Sequence, residues 1–261
     1  MKETLQFDSS ALGRSQPVTI ITPWQLTATG RCYTLFLLHG MGGDHTRWVS
    51  QTRILDYLAD LPILTVMPSA DDSFYLNSAI GGYEDFIVRE LVDFIDANYP
   101  TVASAEGRGT TGLSMGGYGA LLLALRNPEI FGAAASHSGA VMTARATTEL
   151  GKPWEWSKTL YGEGPEGARK RREHDILSLA QRFLREDAAN GTLRYDGPAL
   201  YLDCGTEDFL YYASRELTQA LRMLGVPYEY HEYPGDHDWT YWDRHVQDSL
   251  RFHCARWGIF R

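Results

Sequence analysis

Gly112-Leu113-Ser114-Met115-Gly116 is the stretch on which the reading of this chain turns. The five residues fit the pattern GxSxG, and the flanks give that pattern its weight: Gly109 to Leu113 reads as a short buried strand and Met115 to Arg126 as a helix. A serine on so sharp a strand-to-helix turn takes a strained backbone conformation that lifts its hydroxyl outward. Glycines at 112 and 116 leave room for strand and helix to approach each other. The bland alternative is a chance match in a chain with 25 glycines. The strand, turn and helix context argues against it.

A serine hydroxyl is a weak nucleophile near neutral pH, so a base must take its proton and a third group must orient the base. On this kind of elbow the acid and then the histidine follow the serine, each on a loop after a late strand. Ala199 to Cys204 reads as a strand ending in Gly205-Thr206-Glu207-Asp208. Tyr228 to Tyr233 reads as another, ending in Pro234-Gly235-Asp236-His237-Asp238. Asp208 is the expected acid, a few residues past its strand, with Asp203 (inside the strand) and Glu207 as rivals. His237, in the loop, is the expected base. His231 lies within the strand, and His39, His45, His137 and His174 precede the acid.

The charge that develops on the substrate oxygen needs two backbone N–H donors, each worth about 3 kcal/mol. Met115, immediately after the serine, is expected to supply one. The second is expected from Leu37-Leu38-His39-Gly40-Met41-Gly42-Gly43, with Met41 the first candidate and Gly42 the second. That loop lacks the Lys and Ser/Thr of a P-loop and the spacing of a dinucleotide fold. Gly42, Trp48, Phe74, Trp154 and Trp239 are candidate pocket residues, with Trp156 and Trp242 beside them; aromatic side chains are as often plain core.

Further strand-like runs lie at Val18 to Thr22, Tyr33 to Leu38, Ile63 to Met67 and Phe131 to Ser136. Helical periodicity marks Val49 to Leu61, Tyr83 to Asn98, Tyr212 to Leu224 and Trp239 to Trp257. Alternation of this kind predicts an α/β fold with a mostly parallel eight-stranded sheet, helices on both faces and ligands beyond the carboxyl ends of the strands. The two earliest strands are expected to form an antiparallel edge. From about 144 to 195 the pattern breaks into an insertion before the seventh strand, with a turn at Gly162-Glu163-Gly164-Pro165 and a helix expected over Ile176 to Asp187. It reads as a lid or pocket wall, or as surface decoration. The whole chain, 1–261 with this insertion included, is expected to be one domain.

The 261 residues carry a formal net charge of -9, which disfavours nucleic acid or an anionic membrane as partner. Arg169-Lys170-Arg171-Arg172 sits among Glu163, Glu166 and Glu173 and reads as a solvated surface. Three cysteines point to no disulfide framework. The start has no apolar signal region, and no run approaches the ~18 apolar residues of a membrane span, so a cytoplasmic protein is expected. A metal-hydrolase reading could draw on His231, Asp236, His237 and Asp238, but their spacing matches no metal motif and leaves the serine elbow unexplained.

Taken together, these pieces resemble the α/β-hydrolase esterase family that groups tributyrin-type carboxylesterases, S-formylglutathione hydrolases, feruloyl and acetyl-xylan esterases and the antigen 85 mycolyltransferases. The likeness runs nearly end to end. It is carried by Leu38-His39-Gly40-Met41-Gly42-Gly43 with Trp48, by Ser73-Phe74-Tyr75, by Gly82-Tyr83-Glu84-Asp85, by Gly112 to Ala120, by Cys204-Gly205 with Asp208, and by Pro234 to Trp239. The resemblance implies a small-molecule ester substrate, a Ser114-His237-Asp208 triad, oxyanion amides at Met41 and Met115, no cofactor or metal, and a homo-oligomer. The His-Gly-Met-Gly-Gly loop leans toward the short carboxylesterases. Asp44-His45 stands where S-formylglutathione hydrolases usually carry Cys-Thr. Transfer to water is expected over transfer to an alcohol. A binding protein that has lost catalysis on the same fold is the non-enzyme alternative.

Overall fold

The computed structural model describes residues 1–145, 155–186 and 193–259. Its centre is an eight-stranded sheet: β1 (Lys2–Ser9), β2 (Arg14–Ile21), β3 (Tyr33–Leu38), β4 (Ile63–Pro68), β5 (Arg108–Leu113), β6 (Ala133–His137), β7 (Ala199–Gly205) and β8 (Glu229–Tyr233). The strands lie in the order β1-β2-β4-β3-β5-β6-β7-β8. Only β2 runs against its neighbours, antiparallel to both β1 and β4; every pairing from β4 onward is parallel.

Burial on both faces explains why the central strands are continuous apolar or small-residue runs. Along β3, Phe36 and Leu38 enter one core and Leu35 and Leu37 the other. The first core is closed by Tyr83–Asp85, the π-helical Phe86–Leu91 and Val92–Asn98, which run on as one rod, and by the helices at Met115–Arg126, Ile176–Gln181 and Tyr211–Leu224. The second is closed by α1 (Arg47–Gln51), α2 (Ile54–Leu58) and the long C-terminal helix Trp239–Arg256.

Two expectations need correction. The antiparallel edge is formed by β1 with β2, whereas Tyr33–Leu38 pairs in parallel near the middle. β1 is mostly exposed and offers only Leu5 and Phe7 to the core, too little apolar alternation to announce a strand. The helix expected over Ile176 to Asp187 stops at Gln181, and Leu184–Glu186 pairs instead with Leu193–Tyr195 as a short hairpin. There the Phe183 ring packs edge-on against Tyr195, 6.0 Å between centroids, a contact that continued helix would forgo.

The insertion is tied down where it is described. Tyr118, on the helix after the elbow, donates to the carbonyl of His174 (2.7 Å) and pairs with the Tyr161 hydroxyl (3.0 Å), all buried. Lys170 donates to the carbonyls of Asn77 and Leu160, and Arg145 pairs with Asp175. Trp154 and the insertion's residues 146–153 and 187–192 lie outside the described residues. No helix among the described residues is long and apolar enough to cross a membrane.

Candidate active site

Ser114 stands between β5 and the helix Met115–Arg126, with φ 54° and ψ −117°. A non-glycine residue rarely adopts this conformation, and it costs about 1–3 kcal/mol. The surroundings impose it. The Ser114 amide donates to the His137 carbonyl (2.9 Å), and its carbonyl accepts from Tyr118 (3.1 Å) and Ala140 (3.0 Å). Directly behind it the helix meets β3 so closely that a Cβ on Gly116 would sit 2.5 Å from the carbonyl oxygens of both His39 and Leu38.

The structure brings Ser114, His237 and Asp208 together. His237 Nε2 lies 3.0 Å from Ser114 Oγ, and His237 Nδ1 lies 2.8 Å from Asp208 Oδ2. The Asp208 side chain is buried and that of His237 is 17% exposed, so the row runs from the interior to the surface. Burial pushes the Asp208 carboxyl up, but hydrogen bonds from the His237 imidazole and the Leu210 amide outweigh it and hold it below the usual carboxylate value. Phe209 packs its ring 4.5 Å from that of His237 while remaining 73% exposed, and Trp242 meets the same imidazole edge-on at 4.9 Å.

Met115 begins its helix, so its amide points out of the positive end. Neither it nor the Met41 amide donates to another backbone or side-chain group among the described residues. The Gly42 amide does, to Asp72 Oδ1 at 2.7 Å, which removes Gly42 as a second oxyanion donor. His39 braces the same loop. Its Nε2 accepts from the Ala70 amide (2.9 Å), so its proton is on Nδ1 and is donated to the Gly40 carbonyl (2.7 Å). Burial lowers its pKa and keeps it neutral. Asp72 and the tautomer of His39 were invisible in the sequence, since each acts through a partner across the fold.

Other expected residues fall elsewhere. Trp48 is 1% exposed, with its indole N–H on the Leu38 carbonyl (3.0 Å), so it belongs to the core. Trp239 is half-buried against Trp48 and Trp242. Phe74 is buried with its ring stacked on the half-open Trp156, 5.5 Å between centroids. Asp203 turns away from His237 and pairs with His137 (2.7 Å), while Glu207 accepts from the Gly235 amide. His231 pairs with Glu229, and Asp238 caps the last helix by accepting from the Tyr241 amide. No three His, Cys, Asp or Glu side chains among the described residues gather as a metal would need.

Residues 9–253 match the family described as "Putative esterase", and the chain belongs to that family. An acetyl esterase of Caldicellulosiruptor saccharolyticus is 28% identical over 226 residues, 84% of this chain and 82% of that protein. Among solved structures, the Staphylococcus aureus fluorophosphonate-binding serine hydrolase FphF aligns with TM-score 0.81 at 27% identity, over 97% of this chain and 98% of that one. The S-formylglutathione hydrolase FrmB of the same organism gives 0.77 at 27%, with the same coverage. The fold is therefore that of the α/β-hydrolases, and the protein is a serine hydrolase acting on carboxylic esters.

Proposed function

We propose that this enzyme is a carboxylesterase that hydrolyses short-chain acyl esters through Ser114, His237 and Asp208. The observation that carries the reading is the unbroken row Asp208 Oδ2, His237 Nδ1, His237 Nε2, Ser114 Oγ, with steps of 2.8 and 3.0 Å. His237 accepts the Ser114 proton as Oγ attacks the ester carbonyl. The tetrahedral oxyanion is held by the Met41 and Met115 amides. His237 then gives the proton to the departing alcohol, leaving an acyl-enzyme. Water, deprotonated by the same imidazole, releases the acid and restores Ser114. Asp208 keeps the Nδ1 proton in place and stabilises the charged imidazole throughout. No cofactor takes part in this sequence.

The acetyl esterase relative supports a small acyl group. S-formylglutathione is the second reading, favoured by the likeness to FrmB. Against it, Asp44 is engaged by Thr46 within the loop and His45 by Thr19 of β2, so the Asp44-His45 pair is taken up by structural contacts. We further read the described part of the insertion as a pocket wall, because Tyr161, Lys170 and His174 anchor it.

The test is hydrolysis of p-nitrophenyl esters from acetate to decanoate, and of S-formylglutathione, by the wild type and by Ser114→Ala. Turnover highest at acetate to butyrate and lost in the variant is the expected result. A Ser114→Ala enzyme with wild-type turnover would overturn the mechanism, and a preference for S-formylglutathione would replace the substrate.

A further inference from the structure

The loop that bears His237 leaves the end of β8 and enters the helix Trp239–Arg256. Its fixed points extend well beyond Asp208. Tyr241, in the first turn of that helix, is buried and donates its hydroxyl to Asp203 Oδ1 (3.1 Å). The other oxygen of Asp203 meets His137 Nδ1 (2.7 Å), and His137 Nε2 meets Ser249 Oγ (2.9 Å) on the same helix. His137 closes the ring, because its carbonyl takes the Ser114 amide (2.9 Å). On the loop side, Asp238, the neighbour of His237, caps the Tyr241 amide (2.9 Å), and a Cβ on Gly235 would sit 2.6 Å from the Tyr241 ring. Nucleophile and base are thus joined twice, once through Ser114 Oγ and His237 Nε2 and once through a buried path of His137, Asp203 and Tyr241.

We propose that Tyr241, acting through Asp203 and His137, is a positioning residue that sets the distance between His237 and Ser114. It touches neither of those side chains and is sealed from substrate. Its hydroxyl fixes the first turn of the last helix to β6 and β7, the strands that hold Ser114 and Asp208 in place. Without that bond the buried Asp203 carboxylate loses one of its hydrogen bonds, and the first turn is free to shift by a fraction of an ångström. Proton transfer is sensitive to displacements of that size. The inference rests on His237 being the base.

The experiment is Tyr241→Phe in the full chain, assayed with p-nitrophenyl acetate and normalised to sites counted by fluorophosphonate labelling. The ring, and so the packing on Gly235, is retained. The expected result is a kcat per labelled site lower by about tenfold, with little change in KM and a displaced acidic limb in the profile of kcat/KM against pH. A merely structural role would lower the melting temperature and the number of labelled sites, yet leave kcat per site and the limb unmoved. That outcome overturns the proposal. Should Tyr241→Phe fail to fold, Ser249→Ala loosens the same path from its far end and is expected to lower kcat per site by roughly threefold; no change there overturns it equally. His237→Ala separates the two readings, since wild-type turnover in that variant sinks the triad itself. Loss of turnover in His237→Ala with an unaltered Tyr241→Phe enzyme sinks only the positioning role.

Discussion

Two serine, histidine and aspartate rows stand side by side in this molecule, and their distances barely differ. Ser114, His237 and Asp208 are linked at 3.0 and 2.8 Å; Ser249, His137 and Asp203 are linked at 2.9 and 2.7 Å. Everything around them differs. Ser114 sits on a strained turn beside an unengaged helix N-terminus, and its histidine reaches solvent. Ser249 lies inside a regular helix, its hydroxyl also within 2.9 Å of the Val246 carbonyl, and neither His137 nor Asp203 is exposed. On the proposed mechanism, matching three residue types at hydrogen-bond distance therefore does not by itself make a hydrolytic site. Access, backbone strain and available amides do.

The comparison is broken most directly by neutralising each aspartate. Asp208→Asn should lower kcat by about 10⁴-fold with the fold intact, because the amide no longer enforces the tautomer His237 needs. Asp203→Asn should instead cost about 3 kcal/mol of stability, since a buried pair with His137 and Tyr241 is disrupted; its kinetic loss should be far smaller. Urea unfolding beside steady-state kinetics separates the two. A severe kinetic loss confined to position 203, in a stably folded enzyme, would exchange the roles of the two rows.

A second contrast concerns backbone crowding. Gly116→Ala places a methyl against two backbone carbonyls that β3 holds in position, so a loss of about 3 kcal/mol or more is expected. Ser249→Ala, in the relaxed helix, should cost about 1 kcal/mol for its hydrogen bonds. Equal stabilities of the two variants would show that the elbow is not under the strain its geometry indicates.

What the sequence displayed and what it concealed divide along the same line. Ser114 was legible because strand, tight turn and helix are local and leave a periodic trace, and Asp208 and His237 because each follows a strand end. The supports were concealed because they join residues distant in the chain by single side-chain bonds: Gly42 to Asp72 over 30 positions, Tyr241 to Asp203 over 38, His137 to Ser249 over 112. Such pairs have no period. Trp48 was misplaced for a related reason, since an aromatic residue after an oxyanion loop looks the same whether its ring faces substrate or core. β1 was concealed because an edge strand buries little and so need not alternate.

Glu207 tests how far the exposed row depends on its rim. It precedes Asp208; its amide donates to the Gly235 carbonyl (3.0 Å) and its carboxylate accepts from the Gly235 amide, clamping the histidine loop to the aspartate loop. Hydrogen bonds to the carboxylate, from the Gly235 amide foremost and then the Thr206 hydroxyl, hold its carboxyl below the usual value. Glu207→Ala should lower kcat by roughly fivefold with little loss of stability, and Glu207→Gln should recover part of it. If both variants matched the wild type, the acid and base loops would hold their register without the clamp.

The sealed side of the sheet should also announce itself in the dependence of stability on pH. His253, fully buried against Thr111 and Trp257, has its pKa lowered to about 3 by burial. The same cause lowers His39 and His174. Above the ordinary histidine value of about 6.5, neither folded nor unfolded chain is protonated at these sites, and they add no pH dependence. Between about 6.5 and 3 the unfolded chain takes up a proton at His253 that the folded one refuses, so stability falls as the pH falls, by up to about 1.4 kcal/mol per pH unit for that one group. The lowered carboxyls Asp71, Asp175 and Asp208 act only nearer pH 4 and below, where protonation removes their hydrogen-bonded charge. The interval from 6.5 to about 4.5 thus belongs to the histidines. Melting temperatures of the wild type should decline across it and those of His253→Gln should decline less steeply, whereas parallel curves would mean that His253 accepts its proton without unfolding the core.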